Sequence, residues 1–109
     1  MANLKKLDEI MDELGHQERH LGTGYIREAV SIYERGMSMT KDLYPALAKA
    51  AGTTPSRVER AMRHSITSAW VRGNTDAQLR FFGYSVDPEH GSPMVSEYVA
   101  RMARICRDD

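Results

Sequence analysis

The chain has 109 residues, room for one domain that can bury a core without disulfides or a structural metal. Fifteen basic and fifteen acidic residues cancel, so no global field draws the chain to nucleic acid or anionic lipid, and any DNA-binding reading requires positive charge sorted onto one face. The single Cys106 excludes an internal disulfide and argues against a cysteine-based zinc site. The charged start of the chain lacks a signal-peptide core, and no stretch approaches the roughly 18 apolar residues of a membrane span. A reducing compartment such as the cytoplasm is the expected location.

Apolar residues recur at helical spacing almost throughout, with no alternating strand pattern. This predicts an all-α bundle of about six helices in a single domain over residues 1–109. The first helix places Leu4, Leu7, Ile10, Met11 and Leu14 on one face, with Asn3 as its cap and Gly15 as its stop. The run Gly22-Thr23-Gly24 reads as a break, after which Tyr25, Ile26, Ala29, Val30, Ile32 and Tyr33 predict a second helix closing near Gly36. A third starts with Thr40 as cap, holds Pro45 in its opening turns and runs to Gly52. Thr54 caps the fourth, Pro55 takes its first position and Gly73 ends it. A short fifth helix follows Asn74 through Ala77, Leu79 and Phe81 to Gly83. The last starts at Ser92-Pro93 and carries Val95, Tyr98, Val99, Met102 and Ile105.

Only Ala51-Gly52-Thr53 separates the third and fourth helices, the spacing of a helix-turn-helix whose second helix enters the major groove. In the fourth helix, Val58, Ala61, Met62, Ser65, Ile66, Ala69 and Trp70 share one arc, and Arg57, Arg60, Arg63, His64, Thr67 and Ser68 fill the other. Between Thr54 and Arg72, four arginines face one glutamate, a local charge of +3 on a neutral chain. That is the sorting required. An arginine fork matches the O6 and N7 acceptors of guanine, and a glutamate accepts from cytosine N4. The bland reading of the same pattern is a solvated face with a Glu59–Arg63 surface ion pair.

Other constellations carry less. His16 and His20 stand four apart, as zinc ligands do, but no third ligand is evident and Gly15 places them in a loop. No phosphate loop, serine elbow or paired carboxylates suggest an enzyme, and no cofactor is implied. Arg101, Arg104 and Arg107 recur on the last helix as a solvated stripe or a second contact surface. Met62 and Met102 read as core, Met37 and Met39 as exposed loop residues marking a protein contact, Cys106 as a packing residue and Trp70 as a core anchor.

The motifs Leu43-Tyr44-Pro45, Thr53-Thr54-Pro55-Ser56-Arg57-Val58-Glu59-Arg60-Ala61-Met62-Arg63-His64 and Ala69-Trp70-Val71-Arg72-Gly73-Asn74 resemble the C-terminal effector domain of the stage-zero sporulation protein A family. Gly24-Tyr25-Ile26-Arg27-Glu28-Ala29, Phe82-Gly83-Tyr84 and Ser96-Glu97-Tyr98-Val99-Ala100 continue the likeness in order over nearly the whole chain. The resemblance implies a six-helix fold with a central helix-turn-helix that binds double-stranded DNA in a bacterial nucleoid, often as a head-to-tail dimer. It places base contacts on Arg57, Glu59 and Arg60, and backbone or flanking contacts on Ser56, Arg63 and His64. Two features depart from the family pattern: no receiver domain accompanies the sequence, and the segment from Tyr33 to Thr40 is several residues short. The short segment puts any contact to a polymerase sigma factor or dimer partner in doubt. The alternative is a receiver-less interaction module that modulates a full-length regulator or RNA polymerase without productive DNA binding.

Overall fold

The computed structural model describes residues 2–83 and 91–107, so Tyr84 of the motif above lies outside the described residues. Helix α1 (Leu4–Leu14) is capped where the sequence predicts: the Asn3 side chain accepts from the Lys6 amide, and Gly15 closes the helix at φ +94°. Leu7, Ile10, Met11 and Leu14 are its buried stripe.

Helix α2 (Leu21–Ile32) overturns one expectation. Gly22-Thr23-Gly24 is no break but the first turn of the helix. Gly22 stands against the backbone of the fourth helix, where an added Cβ would fall 1.9 Å from the Ala61 carbonyl oxygen. The glycine is there for close packing between helices rather than for a turn.

The expected start of the third helix is corrected too. Ser38, not Thr40, provides the cap: its hydroxyl accepts from the Lys41 amide while its own amide donates to the Asp42 carboxylate. The chain then makes a π-helical turn over Met39–Leu43 before α3 (Tyr44–Ala51). Pro45 has no N–H to complete a regular ladder here, so a wider turn sacrifices little. Met37 and Met39, expected to be exposed, pack half-buried against the core.

Gly52 ends α3 in the left-handed conformation at φ +68°, and the Thr53 amide donates back to the Ala48 carbonyl. Helix α4 (Pro55–Arg72) follows, with the Thr54 hydroxyl accepting from the Arg57 amide and Pro55 in the first turn. Helix α5 (Thr75–Phe82) is capped by the Asn74 side chain as expected. Its buried residues are Ala77 and Phe82, whereas Leu79 is exposed and Phe81 half-buried. Helix α6 (Val95–Ile105) begins two residues after the predicted Ser92-Pro93 start. Ser92 turns its hydroxyl to Thr67 of α4 instead, and Pro93 is buried in extended chain. The six helices enclose one core, and α4 packs most extensively against α2 and next against α3. The ends of the described chain pair Ala2 with Arg107, and the Asn3 amide donates to the Cys106 carbonyl. Cys106 is buried there, the packing residue expected.

Candidate nucleic-acid interface

Helices α3 and α4 form the helix-turn-helix, and the tight turn at Gly52 leaves the first turns of α4 at the surface. Val58, Met62, Ser65, Ile66 and Ala69 are buried, which turns the opposite side of α4 outward. Ser56, Arg57, Arg60, Arg63 and His64 are all exposed. Glu59 is half-buried at the border of the core arc, where Arg63 pairs with it at 3.5 Å. Among the described residues Arg57 and Arg60 enter no ion pair, so their guanidinium forks are available to an external acceptor.

The two long edges of α4 differ. One borders a groove of about 400 Å³ lined in part by Met39, Tyr44, Glu59, Arg63 and Met94. Burial first, then the negative charge of Glu59, raises the Tyr44 phenol above its ordinary pKa, keeping it a neutral donor beside the ion pair. The other edge meets the start of α2, where the His64 and His20 rings lie 5.2 Å apart.

A buried polar chain holds the inner side of α4. His16 is not a free loop residue: it is buried, with Nδ1 2.8 Å from the Ser65 hydroxyl and Nε2 2.7 Å from the Tyr98 hydroxyl. The Ser65 hydroxyl lies 2.9 Å from that of Thr23, which donates to the Gln17 carbonyl at 2.8 Å. Counting protons gives every bond a direction. Thr23 has spent its proton on Gln17, so Ser65 donates to Thr23. Ser65 must then accept from His16 Nδ1–H, and Tyr98 donates to the bare Nε2. The chain ties the loop after α1 to α2, α4 and α6 and requires a neutral imidazole. Burial, with a smaller contribution from the positive charge of His20, lowers the His16 pKa to about 4.

The structure therefore separates the two histidines considered as a zinc pair: both ring nitrogens of His16 are hydrogen-bonded within the protein, and His20 faces α4. The polar chain was missed in the sequence. Its one visible signal was Ser65, a hydroxyl inside the apolar arc of α4. Trp70 is half-buried and makes edge contacts with Phe82 and Tyr98 at 5.2 and 6.1 Å.

The family model described as sporulation initiation factor Spo0A C terminal matches residues 7–105. The chain belongs to this family. Spo0A C-terminal domains are DNA-binding effector domains of sporulation regulators, not enzymes, and the all-α architecture with its helix-turn-helix agrees with that membership. Among the described residues, no helix is long and apolar enough to cross a membrane.

Proposed function

We propose that this Spo0A C-terminal domain binds double-stranded DNA sequence-specifically with α4 in the major groove. Arg57, Glu59 and Arg60 read base edges, while Ser56, Arg63 and His64 engage the backbone or flanking positions. The observation that carries the reading is the exposed arginine face at the start of α4, without an ion pair at Arg57 or Arg60 among the described residues, on a chain of zero net charge. Glu59 starts out held by Arg63, so reading a cytosine amine requires that weak surface pair to open, a cost of about 0.3–0.5 kcal/mol for such spacing. That is small beside the roughly 1–3 kcal/mol of one good base contact. A reader of chromosomal DNA works in the bacterial cytoplasm, at the nucleoid.

Fluorescence anisotropy with a labelled duplex bearing the family's target element, against a scrambled duplex at two salt concentrations, tests this. Preference for the target that survives higher salt is expected, and Arg60→Ala should reduce it by about 1–3 kcal/mol. Equal losses on both duplexes would remove Arg60 from base reading. No DNA-dependent shift, with co-purification of a protein partner, would favour an interaction module instead.

A further inference from the structure

The α2-facing edge of the recognition helix carries cationic groups that the helix-turn-helix does not account for. The close approach of Gly22 to Ala61 seats the start of α2 on α4 and places His20 beside His64. His20 stands at the cap position of α2 yet makes no side-chain bond to the helix, and among the described residues its buried Nδ1 has no partner. A buried nitrogen facing no acceptor is best left unprotonated, so the neutral ring carries its proton on Nε2. Arg72, in the last turn of α4, and Arg19, preceding His20, are both exposed. Arg19 donates only to the neutral Gln17 side chain, and neither arginine is paired with a carboxylate among the described residues. Four charged or protonatable groups thus lie on this side of α4, and among the described residues no carboxylate pairs with either arginine.

We propose that Arg19, His20, His64 and Arg72 form a clamp for a backbone phosphate of the DNA duplex, extending the interface beyond the helix-turn-helix. The proposal rests on reading α4 as the recognition helix. A phosphate supplies what the cluster lacks, a compact anion with several acceptors for guanidinium and imidazole donors. In the free protein, desolvation and then the charges of His64, Arg19 and Arg72 hold His20 below its ordinary pKa. Among the described residues those three are the charged groups acting on it, and the same positive charges attract a phosphate. His20 itself stays neutral, since a second proton would sit on the buried Nδ1, and it donates to the phosphate through Nε2–H.

The test is anisotropy of the whole chain on target and scrambled duplexes across a salt series. The variants are Arg19→Ala/Arg72→Ala and His20→Phe, with circular dichroism confirming that each keeps its helices. The double variant should lose affinity by the same factor on both duplexes and flatten the log–log salt slope by about 0.9, one phosphate's worth. His20→Phe should also weaken both duplexes by a common factor but leave the slope unchanged, because the imidazole donor it removes is neutral. An unchanged slope in the double variant, or unchanged affinity in His20→Phe, would overturn the clamp. Wild-type binding without preference for the target would remove base reading, while the slope comparison on non-specific binding would still decide the clamp. Failure of wild type to bind either duplex would remove both.

Discussion

Gly22→Ala sets two physical effects of opposite sign against each other. Inside a helix, alanine is preferred to glycine by about 0.8–1 kcal/mol, so local propensity alone predicts stabilisation. The tertiary structure predicts the reverse. The new Cβ would lie 1.9 Å from the Ala61 oxygen, 2.4 Å from its carbonyl carbon and 2.9 Å from the Met62 nitrogen. All three are backbone atoms, so no side chain can swing away and α2 must separate from α4 by more than about 1 Å to restore contact distances. Overpacking of this kind costs about 1–3 kcal/mol, and the rigid partner places it at the upper end. The net effect is a loss of about 2 kcal/mol, which for a domain of this size lowers Tm by about 8 °C. Gly24 supplies the control. It lies in the same helix with nothing within 4 Å of its added Cβ, so Gly24→Ala should raise stability by about 0.5–1 kcal/mol. Thermal unfolding followed by circular dichroism measures both. If Gly22→Ala raised Tm as Gly24→Ala does, the backbone-to-backbone crossing would be refuted, and with it the seating of His20 beside His64.

Three further outcomes are expected. The folded-state pKa of His16 is about 4 against an ordinary 6.5, so its contribution is fully present above about pH 6.5 and lost as pH falls towards 4, up to roughly 3 kcal/mol. Urea midpoints at pH 7, 5.5 and 4.5 should decline accordingly in wild type and decline less in His16→Gln; parallel declines would remove His16 as the source. Tyr98→Phe strips the donor from buried His16 Nε2 and should lower stability by about 1–3 kcal/mol with an unchanged m-value. A smaller effect would mean that Nε2 finds another donor. Arg63→Ala should weaken target and scrambled duplexes alike and flatten the salt slope by about 0.9; an unchanged slope would leave Arg63 only as the partner of Glu59.

The candidate face was legible because its signals are local. Thr54 caps an amide three residues away, Pro55 presets the first turn, and arginines at helical spacing fall opposite Val58, Met62 and Ile66 wherever the helix packs. The same holds for Asn3, Gly15 and Asn74, whose bonding or backbone geometry closes within a few residues. The misread elements answer to distant partners. Gly22 and Gly24 look alike in sequence, and only the Ala61 backbone, brought against one of them by folding, makes the first a packing residue. Ser92 resembles a helix cap until Thr67 engages its hydroxyl. His16 lies 49 residues from Ser65 and 82 from Tyr98, and its neutrality follows from those two bonds and its burial. His20 likewise comes beside His64 only because α2 crosses α4 where it does. The sequence by itself determined the helices, most of their caps and the chemistry of the exposed α4 face, since capping and periodicity act over one or two turns. Tertiary structure alone decided which polar groups are desolvated and which cations converge, since both depend on chain segments brought together by the core.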